Sequence, residues 1–220
     1  MILRGISTIT NRRNLYPALD SDNARHHELG RLMLALDDPR WTELWHSYGS
    51  GENVPPFLRK IERASKELPS KFWDEFGNIL CHQCSTGSAS VAAFPHLVRL
   101  ADLNCGSENG FHALVLAAEI LAFELGESGQ LERVWKRSLQ PPPEYIRQPF
   151  RDAIKAGQHL IAKQLFKRRY SFSRMTEWLA ITAAFSRHAD MFLLLPQLRR
   201  RSFMCPNCEA DIDTSQMYTF

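Results

Sequence analysis

The sequence predicts an all-α chain, a superhelix of about ten helices stacked as an α-solenoid and closing in a short irregular or β-hairpin tail. Three observations predict it. Apolar residues recur at three- and four-residue spacing through most of the length, and no alternating strand pattern precedes residue 202. Val91-Ala92-Ala93-Phe94-Pro95-His96-Leu97-Val98-Arg99 reads almost like Met191-Phe192-Leu193-Leu194-Leu195-Pro196-Gln197-Leu198-Arg199, with a looser copy at Asn53-Val54-Pro55-Pro56-Phe57-Leu58-Arg59-Lys60-Ile61. Each sets a proline in an apolar helical pattern, and Pro56 and Pro95 lie 39 positions apart, near the ~40–47-residue period of helical-pair repeats. A proline inside a helix costs ~3 kcal/mol or more, so its return at matching places implies a bend built into the packing.

The elements follow in order. Residues 1–19 read as an irregular lead-in, 20–201 as the helical-repeat domain and 202–220 as a tail. Asp20 or Asp22 caps a first helix through Leu36, with Leu29, Leu32, Met33 and Leu36 on one face. Pro39 starts a second, short helix carrying Trp41, Leu44, Trp45 and Tyr48, which Gly49-Ser50-Gly51 ends. A third runs from Pro55 to Leu68. Ser70 or Asp74 opens the next, with Phe72, Trp73, Phe76, Ile79 and Leu80 inward. Ser85-Thr86-Gly87-Ser88 breaks the chain before a proline-kinked helix that ends near Leu103. The run Phe111–Leu125 is apolar almost all round, which suits a helix covered on both sides. Leu131–Leu139 is a short helix stopped by Pro141-Pro142-Pro143. Tyr145 to about Lys167, Ser171–Arg187 and Ala189–Arg200 complete the series.

Composition narrows the class. Hydrophobic residues make up 44% and charged residues 23%, which argues for a packed domain over a disordered chain. The net charge is only +3, but between Arg133 and Arg201 fifteen Lys or Arg stand against four acids. That asymmetry would attract an acidic protein surface or a nucleic-acid backbone. Met1 to Leu19 carries three arginines and no continuous apolar core, so it does not read as a secretory signal. Phe111–Leu125 is too short for a bilayer, which takes ~20 residues. Five cysteines and no export signal fit free thiols in a reducing cytoplasm.

Few constellations carry chemistry. Cys81-His82-Gln83-Cys84 and Cys205-Pro206-Asn207-Cys208 are both C-x-x-C pairs, but 120 intervening residues are far from the ~15–20 of a shared four-thiolate zinc site. Cys205 and Cys208 alone resemble half of a zinc knuckle, with Glu209 where glycine is usual; they are the candidate zinc ligands, and no other cofactor is expected. His82 and Gln83 sit at a helix end, where they are expected to hydrogen-bond turn backbone. His112 and Glu119, seven apart, share a helix face that reads as a solvent-facing stripe, with a groove lining or a metal-binding pair as the alternatives. Lys163, Lys167, Arg168, Arg169 and Arg199-Arg200-Arg201, with Tyr170, Phe172 and Trp178 nearby, are the residues that would hold phosphates and stack bases.

The stretch Trp73–Thr86, containing Leu80-Cys81-His82-Gln83-Cys84-Ser85-Thr86, and the helix Ala92-Ala93-Phe94-Pro95-His96-Leu97-Val98-Arg99-Leu100 resemble bacterial HEAT-like repeat proteins. In those a helix ends in Leu-x-His-Gln-Gly-Thr and is followed by Ala-x-x-x-Pro-x-Leu. Asp38–Leu44 and Tyr48–Pro55 also look like that group's opening helices. The likeness covers roughly residues 36–126, and Cys84 stands where the group has glycine. It implies interaction without chemistry, some such proteins accompanying toxins as immunity partners. The resulting expectation is a non-catalytic, cytoplasmic scaffold for a protein partner, acidic if it meets the basic half. Candidate anchors are Trp41, Trp45, Trp73, His82, Gln83, Arg99, Arg168 and Arg169. The alternative is a nucleic-acid-binding helical repeat using the basic half.

Overall fold

The computed structural model describes residues 33–83, 85–126, 130–138, 140–165, 171–194, 202–204 and 211–213. It is predominantly helical, in agreement with an all-α class. Among the described residues the α-helices are α1 (Val54–Arg63), α2 (Ser70–Leu80), α3 (Ser88–Leu103), α4 (Glu108–Leu125), α5 (Leu131–Arg137), α6 (Glu144–Leu165), α7 (Phe172–Phe185) and α8 (Ala189–Leu194). Single 3-10 turns occupy Pro39–Glu43 and Gly51–Asn53.

Local chemistry starts and stops these elements. The Asp38 carboxylate accepts from the Arg40 N–H at 2.9 Å and caps the first 3-10 turn. Ser107 Oγ accepts from Gly110 N–H at 3.1 Å at the head of α4, and Ser171 Oγ from Arg174 N–H at 3.3 Å at the head of α7. Ser90 Oγ accepts from Gly87 N–H and itself donates to the Leu80 carbonyl at 2.6 Å, which ties the end of α2 to the start of α3. Gly126, at φ +51°, ends α4.

The helices form hairpins that lie side by side. α3 packs along α4, and α6 against α7. Across hairpins, α1 lies on α3 and α3 on α6, while α2 lies on α4 and α4 on α7. The chain therefore forms two layers, α1-α3-α6 and α2-α4-α7. Trp73 stacks on His112 and Gly77 faces Leu116, so α2 and α4 run parallel with the same 39-residue offset that separates Pro56 from Pro95. The layers share one apolar core, in which Phe94 of α3, Phe150 of α6 and Phe185 of α7 meet with Phe94 ring centroids 4.3 and 5.9 Å from the other two.

Several expectations change. The predicted helix after Pro39 is a 3-10 turn followed by a tight hairpin, β1 (Trp45–His46) with β2 (Gly49–Ser50). A second hairpin, β3 (Cys81–His82) with β4 (Ser85–Thr86), follows α2. Strand pairing thus precedes residue 202, in pieces too short to show alternation. Pro55 and Pro56 lie in the first turn of α1, where a missing N–H costs nothing, so Pro56 does not kink a helix. Among the described residues the prolines in helix interiors are Pro95 in α3 and Pro149 in α6. In the tail, β5 (Ser202–Met204) pairs with β6 (Asp211–Asp213). The first predicted helix lies mostly outside the described residues, as does Pro196.

The chain ahead of α1 is held by its carbonyls. His96 Nε2 of α3 donates to Leu34 O at 2.9 Å, Trp41 Nε1 to Ala35 O at 2.9 Å, and an Arg59 guanidinium nitrogen of α1 to Leu36 O at 2.7 Å. Three consecutive carbonyls are thereby taken by three different elements.

Candidate binding surface

The two short hairpins sit together beside the start of α3. Trp45 N–H donates to Ser88 Oγ at 3.0 Å. A side chain on Gly87 would run into the Trp45 carbonyl and ring, so glycine is what allows the hairpins to close on each other. His46 is buried: its Nδ1 accepts from the Tyr48 N–H at 3.1 Å, so the proton sits on Nε2, which donates to Asn53 Oδ1 at 2.8 Å. This imidazole is a strut. Tyr48 is 61% exposed, and its hydroxyl lies 2.7 Å from His82 Nδ1 with the rings edge-on at 4.8 Å. Trp45 is 40% exposed. Two aromatic side chains are thus presented to solvent on a hairpin tied to the start of α3.

His82 therefore bonds a side chain from the other hairpin and not turn backbone, as had been expected; the turn is served by Ser85 Oγ, which donates to His82 O at 2.6 Å. Gln83 sits exposed at the tip with φ +49°, a left-handed conformation that glycine and asparagine adopt more readily than glutamine. Cys84 lies outside the described residues.

A second surface adjoins this one along α4. Phe111 and the residues His112, Val115, Glu119 and Phe123, the last four about one turn apart, are all half-buried and form a stripe ~18 Å long at ~1.5 Å per residue. At its start Arg174 of α7 lies 3.9 Å over the Phe111 ring and is paired to Glu108 at 2.6 Å. There the stripe opens on a cleft of about 200 Å³ lined by Cys105, Phe111, Gln164, Arg174 and Trp178. Its far end reaches β3 and β4. Glu124 is buried; it accepts from Thr86 Oγ1 and from Trp135 Nε1, both at 2.6 Å. Burial raises its pKa, with those two donors opposing. Burial also pushes the Cys81 thiol well up, helped by the negative charges of Glu119 and Glu124.

Glu119 differs from Glu124 and from the arginine-paired carboxylates. Burial alone raises its pKa, and among the described residues neither a hydrogen-bond donor nor a cation meets it. Glu62, Glu132, Glu144 and Glu108 each pair with an arginine: Arg99, Arg151, Arg147 and Arg174.

The predicted anchors separate. Trp41 is core, 2% exposed, and Trp73 is 7% exposed. Arg99 lies on α3, paired to Glu62 and away from the hairpins. Trp45, His82 and Gln83 come together. Arg168 and Arg169 lie outside the described residues, as do Cys205 and Cys208. Among the described residues no three His, Cys, Asp or Glu are grouped to hold a metal ion. No helix among them is long and apolar enough to cross a membrane. Sequence reasoning missed Tyr48, which it placed inside a helix, and Glu124, whose signal was a carboxylate in an otherwise apolar run. Compared with protein-family models, with curated proteins and with solved structures, the chain matches none.

Proposed function

We propose that this chain is a non-catalytic, cytoplasmic protein-binding scaffold: a short HEAT-like α-solenoid whose α2-α4-α7 layer and adjoining hairpins receive a protein partner, as an immunity or effector-binding protein would. The observation that carries the reading is the pair of solvent-facing aromatics, Trp45 and Tyr48, on hairpins clamped by Ser88, Gly87 and His82. Exposed rings on pre-set backbone lose little entropy on binding and make efficient anchors. The half-buried stripe of α4, a helix bonded to β4 through Glu124 and Thr86, supplies further apolar area.

The basic half supports a nucleic-acid role less well. Within that half Arg147, Arg151 and Arg174 are engaged by Glu144, Glu132 and Glu108, while Lys167, Arg168, Arg169 and Arg199-Arg200-Arg201 lie outside the described residues. The test is affinity capture from a native lysate with quantitative mass spectrometry, using the wild-type chain beside Trp45→Ala/Tyr48→Ala and Val115→Asp. A protein retained by the wild type and lost with the variants supports the scaffold. Retention unchanged by all substitutions, or salt-sensitive retention of duplex nucleic acid instead, overturns it.

A further inference from the structure

We infer that the α4 stripe selects a helical segment of its protein partner that presents one Lys or Arg between two apolar residues, each one turn away. This rests on the scaffold reading and adds the chemistry of what is bound. The footing is the placement of Glu119. It lies near the middle of the stripe with Val115 one turn before it and Phe123 one turn after, all three half-buried. A half-buried carboxylate without a donor or a cation is costly to ionise, and a cation placed beside it offsets that cost. Among the described residues nothing of this chain meets that need. Glu62, Glu108, Glu132 and Glu144 each have an arginine, and buried Glu124 has two hydrogen-bond donors.

His112, two turns earlier, does not substitute for the missing cation. Its ring is stacked on Trp73 at 5.3 Å, and burial lowers its pKa, so it is neutral at pH 7. An incoming Lys or Arg would place its charge at Glu119 and lay its methylene stem on Phe123 or Val115. Leucines four residues to either side would fall ~6 Å along the groove, matching the spacing of Val115 and Phe123. An acidic partner, expected from the basic half, is the wrong complement here.

The test uses the full chain and a fluorescein-labelled synthetic helix of pattern Leu-x-x-x-Lys-x-x-x-Leu on an alanine–glutamine host, with norleucine and Glu counterparts at the Lys position. Binding is read by fluorescence anisotropy. The Lys peptide is expected to bind about tenfold tighter than the norleucine peptide, and the Glu peptide more weakly than either. Glu119→Gln, which removes a desolvated charge and so folds at least as well, should erase the Lys preference while leaving norleucine-peptide affinity in place. Equal binding of Lys and norleucine peptides by the wild type, lost in Val115→Asp, overturns the charge selection and leaves the docking surface standing. A Lys preference that survives Glu119→Gln also overturns it. Binding of none of the three refutes the helical occupant, and the capture experiment on Trp45 and Tyr48 then decides the scaffold reading separately.

Discussion

Glu124 offers the sharpest test of how this structure is held. Its two oxygens each accept one short hydrogen bond, from Thr86 on β4 and from Trp135 on α5, so one buried carboxylate joins a hairpin, α4 and α5. Replacing it with Leu keeps the volume and orphans both donors. The indole N–H, on a residue 3% exposed, has no other outlet and costs ~1–3 kcal/mol; Thr86 is half-exposed and can turn to water. Glu124→Leu should therefore lose ~2 kcal/mol. Glu124→Gln should lose under ~1 kcal/mol, because its carbonyl can accept from the indole while its amide donates to the Thr86 hydroxyl. The pH profile adds a signature. Burial holds the folded pKa above the unfolded 4.5, so the native state keeps its proton longer as pH rises. This contribution is present below 4.5 and is lost as pH rises through the folded value. Urea melts of the three proteins at several pH values would measure it. If Glu124→Gln is as damaging as Glu124→Leu, or if neither is damaging, the bridging account is wrong.

Other expectations follow from single contacts. His96 is buried neutral, its pKa pushed down to about 4 by burial. Because the unfolded imidazole takes its proton first, stability should decline as pH falls from 6.5 towards about 4, and a His96→Gln variant should lack that decline in thermal melts. Gly157→Ala should destabilise by more than ~2 kcal/mol by urea denaturation, although alanine favours helix by ~1 kcal/mol, since a Cβ would overlap the Phe185 ring with Cζ at 2.8 Å. Tyr48→Phe removes the hydroxyl bonded to His82 and should cost ~1 kcal/mol or less while shifting the His82 ring resonances in an NMR spectrum. Unshifted resonances would show the contact to be absent in solution.

The larger periodicity was legible and the small turns were not. The proline-bearing pattern of residues 88–103 and the apolar run to Leu125 appear as α3 and α4 because long 3.6-period stretches carry redundant signal. Trp41, Leu44, Trp45 and Tyr48 also have helical spacing, yet Gly49 at φ +137° turns the backbone, and alternation cannot be read in two-residue strands. Pro56 matched the repeat by position but starts a helix, while Pro149 interrupts one without a Pro-x-Leu pattern. The surface residues were half visible. His112 and Glu119 were placeable on one face by counting, but Glu119's want of a partner depends on which arginines fold next to which acids.

The clamp on Leu34, Ala35 and Leu36 has a mechanical meaning. A tether attached ahead of residue 33 would pull against three side chains rooted in separate segments, so force would be shared between α1, the first 3-10 turn and α3 at once. The segment 34–36 should give way in one abrupt step under load instead of peeling residue by residue.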